Sequence, residues 1–230
     1  MTKIFCDIAD LHLIKKYNKK SLVKGFTTNP TLMRKAGAKN YIKYCKRILE
    51  LTSKPVSFEV FADDINGIIR QGEIINKIGK NVYVKVPITN SKGLFLGKAI
   101  SELNRQNIKL NVTAVYTFNQ TKKILSKINK KTQVIISIFA GRMSDTGKDP
   151  IIQIKKSITL AKKFKNVKIL WASTREPYNY LNAKKLKCHI ITIPPAIIDK
   201  IEKFGKSYYQ LTLETVKTFL EDSKKSNFKI

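Results

Sequence analysis

Short apolar, β-branched runs alternate with longer stretches whose apolar residues fall three and four apart, from one end of the chain to the other. The short runs predict strands over 3–8, 22–27, 56–61, 82–86, 110–115, 133–139, 168–172 and 189–193, since a strand buried on both faces reads as a nearly continuous apolar segment. Between them, Tyr41, Ile42, Tyr44, Cys45, Ile48 and Leu49 share one helical face, and 65–78, 94–103, 121–128, 150–164 and 179–186 read the same way. Eight strands, each followed by a helix, is the number that closes a parallel barrel. The pattern therefore predicts an α/β fold, a single (β/α)8 TIM barrel. An open doubly wound sheet is the alternative, but no G-x-G-x-x-G follows the first run. Beyond Gly205, the residues Tyr208, Tyr209, Leu211, Leu213, Val216, Phe219 and Leu220 predict an additional C-terminal helix whose apolar side docks somewhere. The end, 223–230, reads as frayed. With no linker, repeat or low-complexity segment, 1–230 reads as one domain, with 205–225 its helical extension.

The apolar fraction of 43% is ample for a core, and a length of 230 residues suits one barrel. Net charge changes the picture more. At +29, with 39 lysines but only six arginines, the chain invites a nucleic-acid reading. The lysines are, however, spread along the whole length and rarely stand beside aromatics. Abundant Lys, Ile and Asn with scarce Arg is the bias of an AT-rich genome, and Arg is the residue that bidentate phosphate recognition prefers. No specific nucleic-acid partner is expected, only weak adhesion to polyanions at low salt; a non-catalytic basic barrel that binds polyanions is the alternative to an enzyme. No run of ~18 apolar residues exists, so no membrane partner is expected. The apolar start is broken by Asp7, too early for a signal peptide. Cys6, Cys45 and Cys188 are odd in number, widely spaced and form no C-x-x-C pair. They read as reduced thiols of a cytoplasmic protein, without a zinc site.

One lysine stands out. In Val82-Tyr83-Val84-Lys85-Val86-Pro87, alternation sends the valines to one face and Tyr83 and Lys85 to the other. A lysine in a dry pocket loses solvation of its charged form and becomes an amine able to attack a carbonyl. In a chain this rich in lysine, chance placement is the competing explanation. Other polar residues recur at the same place in each unit, the C-terminal end of a strand, where barrels gather catalytic groups. They are Asp7, then Thr27-Thr28-Asn29-Pro30, then Glu59, Asn111 and Thr113, Ser137 with Gly141-Arg142, and Ser173 with Arg175. Asp7 also fits a helix N-terminal acid, Thr113 a strand filler and Ser137 a small packing residue.

The chain resembles the transaldolase family, in particular its short members, which include fructose-6-phosphate aldolase. The resemblance spans nearly the whole chain. It rests on Phe5-Cys6-Asp7-x-Ala9-Asp10, Gly25-Phe26-Thr27-Thr28-Asn29-Pro30-Thr31-Leu32, Val84-Lys85-Val86-Pro87-x-Thr89 and Asn111-Val112-Thr113. Ser137-Ile138-Phe139-Ala140-Gly141-Arg142 and Ala172-Ser173-x-Arg175 complete it.

That resemblance implies a sugar-phosphate enzyme that moves a dihydroxyacetone unit from sedoheptulose 7-phosphate to glyceraldehyde 3-phosphate. Lys85 would form the Schiff base and Asp7 would take the hydroxyl proton that triggers cleavage. Glu59, with a water positioned by Thr113, would shuttle protons. Asn29 and Asn111 would hold hydroxyls, with Thr27, Ser137 and Phe139 also lining the substrate. Arg142, Arg175 and Ser173 would grip phosphate. No cofactor or metal is implied, because the iminium is the electron sink. A homo-oligomer, a pentamer or decamer joined through the C-terminal helix, is implied as well. Fructose-6-phosphate aldolases tend to carry Gln where Glu59 stands and Tyr where Phe139 stands, so both positions lean toward transaldolase. Two departures are Ile8, where the family has Thr, and Trp171, where a small residue is usual. Alternation puts Trp171 on the face of Ser173, where it would crowd the barrel interior or reshape the phosphate end.

Overall fold

The computed structural model describes residues 1–226. Its first half runs β1 (Lys3–Asp7), α1 (Leu11–Asn18), β2 (Val23–Thr27), α2 (Pro30–Lys35), α3 (Tyr41–Leu51), β3 (Val56–Glu59), α4 (Ile65–Asn76) and β4 (Val82–Pro87). Next come α5 (Gly97–Arg105), β5 (Leu110–Val115), α6 (Phe118–Leu125), β6 (Val134–Phe139), α7 (Ala140–Ser144) and α8 (Ile151–Ala161). The last part holds β7 (Val167–Ala172), α9 (Tyr178–Lys185), β8 (Ile190–Ile193), α10 (Pro195–Ile201) and α11 (Tyr208–Ser226). The eight strands are parallel and close in sequence order, with β8 pairing back onto β1. This is the (β/α)8 barrel with an added C-terminal helix that the pattern predicts. Short extra helices α2 and α7, together with α11, raise the helix number above one per strand.

Local chemistry starts the helices. Asp10, Asn29, Asn40 and Asp64 each accept the N–H three residues on, at the starts of α1, α2, α3 and α4. Each such cap is worth ~1 kcal/mol. Thr117 and Gln120 form a reciprocal capping box at α6.

Two apolar layers result. Outward-facing strand residues such as Val82, Val84, Val86, Ile136 and Ile169 pack beneath the helices. Inward-facing Phe5, Tyr83, Ile135, Leu170, Ala172 and Ile190 fill the barrel itself. Phe5 reaches across to β2, and a Cβ on Gly25 would stand 2.6 Å from its ring, so only glycine fits there. Cys6, Cys45 and Cys188 are all free and buried; burial pushes the Cys45 and Cys188 thiols up to about 12. No helix among the described residues is long and apolar enough to cross a membrane.

Two expectations need correction. Trp171 does not crowd the barrel interior: it belongs to the outer layer, while Leu170 and Ala172 point inward. Alternation fails one residue later, because Ser173 adopts φ 64° and turns off the strand. The side chain of Ile8 likewise packs against the outer layer. The second correction concerns the end, where α11 continues through Ser226 instead of fraying from 223; residues 227–230 lie outside the described residues. Every residue of α11 is exposed, so its apolar side meets no surface of its own barrel.

Candidate active site

On four of the strands the inward-facing position changes character two residues further along. Phe5 gives way to Asp7, Tyr83 to Lys85, Ile135 to Ser137 and Ile190 to Thr192. The barrel is therefore sealed by apolar side chains at the N-terminal ends of its strands and polar at the C-terminal ends. There a cavity of about 190 Å³ opens. Eleven of the sequence-derived candidates line it: Asp7, Thr27, Asn29, Lys85, Asn111, Thr113, Ser137, Phe139, Arg142, Ser173 and Arg175. The remaining one, Glu59, sits behind Lys85 in the register Glu59–Lys85–Asn111 across β3, β4 and β5.

The pocket around Lys85 is polar. Lys85 is buried, yet its Nζ lies 3.1 Å from Glu59 Oε2 and donates to the Thr28 carbonyl at 3.0 Å. Glu59 is itself fixed by Tyr41, whose hydroxyl donates to the Glu59 carbonyl and accepts its N–H, both at 2.9 Å. Asp7 accepts the Thr27 hydroxyl at 2.7 Å, and Thr27 in turn shares a hydrogen bond with the Thr192 hydroxyl. Burial pushes the Asp7 carboxyl above the ordinary carboxylate range, more strongly than nearby Lys85 and the Thr27 hydroxyl pull it down.

Asn111 is held at both ends of its amide, donating to Ser57 Oγ at 3.0 Å and accepting from Ser137 Oγ at 2.7 Å. Thr113 differs: its hydroxyl is buried without a partner. The register between β5 and β6 slips between Val112 and Val115, with Ala114 at φ 58°, and this irregularity adjoins Thr113. A buried hydroxyl left unpaired costs about 1–3 kcal/mol, so Thr113 is poised for a water or substrate oxygen. Asn29 spends its Oδ1 on the Leu32 N–H, which leaves only its NH2 for a ligand.

The two arginines arrive on backbone that fits only one way. A Cβ on Gly141 would stand 1.6 Å from the Ser173 carbonyl oxygen, so the α7 turn and the Ser173 turn interlock. Arg142 lies 5.7 Å from the Phe139 ring centroid. Arg175 holds Asp145 bidentately through the Nε–Nη2 edge of its guanidinium. Both arginines also line a neighbouring concavity of about 780 Å³, shared with Tyr116 and Asp145.

Thr192, Tyr41 and Asp145 were not among the sequence-derived candidates. Thr192 had a readable signal, a polar residue at the end of the last strand. Tyr41 lies in a helical apolar pattern and Asp145 in a loop, where spacing carries no information.

Fold and site together define a barrel with an amine and carboxylates gathered at the C-terminal ends of its strands, the edge where such barrels carry catalysis. Residues 4–230 match the family model Transaldolase/Fructose-6-phosphate aldolase. A probable transaldolase of Thermoanaerobacter sp. (strain X514) is 34% identical over 99% of this chain and 100% of its own length. Those of Nitrosopumilus maritimus (strain SCM1) and Thermoplasma volcanium are 35% and 36% identical, each over 97% of this chain and 95% and 96% of their own. Among solved structures, a putative phosphonomutase from Burkholderia cenocepacia J2315 superimposes with TM-score 0.59 at 7% identity, covering 96% of this chain and 93% of that one; this likeness shows the barrel alone. The chain belongs to the transaldolase/fructose-6-phosphate aldolase family.

Proposed function

We propose that this enzyme is a transaldolase, moving dihydroxyacetone from sedoheptulose 7-phosphate to glyceraldehyde 3-phosphate in the pentose phosphate pathway. The observation that carries the reading is Lys85, a buried amine in contact with Glu59 in the cavity that Asp7 also lines. Lys85 attacks the ketone carbon, and loss of water gives the iminium. Asp7 takes the proton of the hydroxyl on the far carbon of the bond to be cleaved. As that bond breaks, its electron pair flows into the iminium and the hydroxyl carbon leaves as an aldehyde on the shortened sugar phosphate. The three-carbon unit stays on Lys85, attacks the acceptor aldehyde, and Asp7 returns the proton. Glu59, with water held by Thr113, moves the protons of imine formation and hydrolysis. Asn29 and Asn111 hold hydroxyls beside Thr27, Ser137 and Phe139. Arg142, Arg175 and Ser173 hold the phosphate, since a guanidinium fork suits phosphate oxygens. The 190 Å³ cavity suits the three-carbon unit, and it opens at Arg142 and Arg175 onto the neighbouring concavity, where the phosphate end of the sugar would lie. No metal or organic cofactor is needed, because the iminium is the electron sink.

Residues 1–230 act as one catalytic domain, assembled into homo-oligomers through α11. The three buried free thiols support a reducing, cytoplasmic setting. Borohydride reduction in the presence of fructose 6-phosphate, followed by peptide mapping, tests the assignment: the three-carbon adduct is expected on Lys85 and absent in Lys85→Met. An unmodified Lys85, or an unchanged rate in that variant, overturns it. Assay without an acceptor aldehyde separates the two activities in the family's name; rapid release of free dihydroxyacetone would mark an aldolase instead.

A further inference from the structure

At the opposite end of the barrel from Lys85, a cup of about 680 Å³ opens among the N-terminal ends of the strands. Six lysines line it: Lys3, Lys24, Lys130, Lys131, Lys165 and Lys168. No carboxylate lines it, and none of the six forms an ion pair among the described residues. Its floor is apolar, made by Phe5, Tyr83, Ile135 and Ile190, so it is sealed from the site at Lys85.

A chain with 39 lysines will show basic surface almost anywhere. This cup differs because its charges converge from separate elements onto one depression, and because its lysine-bearing loops are fixed. Asn166 donates to the carbonyls of Asn129 at 2.9 Å and Thr132 at 2.6 Å, tying the loop before β7 to the loop before β6. Asn129 in turn accepts the N–H of Lys131 at 2.8 Å and of Thr132 at 2.7 Å. Lys130, Lys131 and Lys165 are thus carried on a cross-braced frame. One neutral donor joins them. His189 accepts the Ile169 N–H on Nδ1 at 3.1 Å, which puts its proton on Nε2, and burial together with Lys168 holds the imidazole below its ordinary pKa.

We propose that this cup binds a compact triphosphate anion, either free tripolyphosphate or the triphosphate of a nucleotide. A concave, like-charged wall over an apolar floor focuses potential on a small multivalent anion. Its volume lies within the ~300–1,000 Å³ of small-molecule sites. A duplex would instead call for a basic stripe following its backbone.

The test is calorimetric titration of the full-length protein with sodium tripolyphosphate and, separately, ATP at low salt. Binding is expected for both at similar affinity, weakened by at least about tenfold in Lys24→Gln/Lys131→Gln/Lys168→Gln. A control of equal charge change on the outer helices, Lys46→Gln/Lys98→Gln/Lys122→Gln, and an Arg142→Ala/Arg175→Ala variant should bind within about twofold of wild type. Tripolyphosphate should also move the His189 imidazole resonances. No binding by the wild type, equal loss in the control, loss in the arginine variant, or binding of ATP without tripolyphosphate would each overturn the proposal. Because the arginine variant removes only the phosphate grip at the Lys85 end, failure here leaves the transaldolase reading intact.

Discussion

Arg175 holds Asp145 bidentately along one edge of its guanidinium, with Nε 3.0 Å from Oδ1 and Nη2 2.6 Å from Oδ2. The same guanidinium lines the cavity at Lys85, and its hydrogen bonds hold the Asp145 carboxyl below the ordinary carboxylate range. One arginine therefore faces two anions, the carboxylate it already holds and the phosphate assigned to it. Asp145→Asn removes the competitor. It is expected to lower KM for phosphorylated donors by about 2- to 5-fold, the range of an exposed ion pair, with kcat little changed. Steady-state kinetics separates the two parameters; a raised KM would mean that Asp145 aims Arg175 at the phosphate instead.

Asp7 gives a prediction with opposite signs for stability and activity. Because its pKa in the fold is raised by burial, the ionised carboxylate opposes folding near neutral pH. That penalty is absent below the unfolded carboxylate pKa, where the group is protonated in both states, and is fully present once pH has risen through the folded value. Asp7→Asn should therefore raise Tm at pH 7.5, by ~2–4 °C for each kcal/mol recovered, with the gain closing by about pH 3.5. Turnover should fall ~10²- to 10⁴-fold, the usual contribution of a general base. Calorimetry across pH, beside a coupled assay, checks both; a Tm lowered at pH 7.5 would refute the burial argument.

Tyr41 matters to the chemistry only through Glu59. Its hydroxyl satisfies both the N–H and the carbonyl of Glu59 at the end of β3, and Glu59 reaches Lys85 from there. Tyr41→Phe leaves two backbone groups to find other partners, at a cost of ~1–3 kcal/mol. Imine formation should slow more than carbon–carbon cleavage, since Glu59 is assigned to the former. Borohydride trapping rates measured against single-turnover cleavage rates read the difference, and equal slowing of both would assign Tyr41 a purely structural role.

All eight strands are legible in the sequence because β-branched residues buried on both faces leave continuous apolar runs, as in Val82–Pro87 and Val134–Phe139. Lys85, Asp7 and Asn111 are legible for the complementary reason, polar residues interrupting such runs at one end. Alternation misplaced Trp171 because it assumes regular strand geometry, and Ser173 leaves that geometry at φ 64°. The five-residue α7 and six-residue α2 are too short to show a helical period, and what fixes them is a cap and a close approach. Asp145 and Tyr41 join the site through partners 30 and 18 residues away, distances at which periodicity is silent.

The exposed C-terminal helix gives a prediction about assembly. Over 19 residues α11 leaves Tyr208 at 90%, Val216 at 56% and Phe219 at 68% exposure, and it rests on nothing in its own barrel. Apolar area of this kind contributes ~25 cal/mol per Å² when covered, while a net charge of +29 per chain opposes association at low salt. Light scattering on the intact chain should therefore show a homo-oligomer, a pentamer or decamer, that tightens as salt rises. Truncation after Gly205 removes the apolar helix and keeps the closed barrel with every residue lining the Lys85 cavity, so it should give a folded monomer. An intact chain that is monomeric at micromolar concentration, or an assembly unchanged by the truncation, would show that α11 is not the contact.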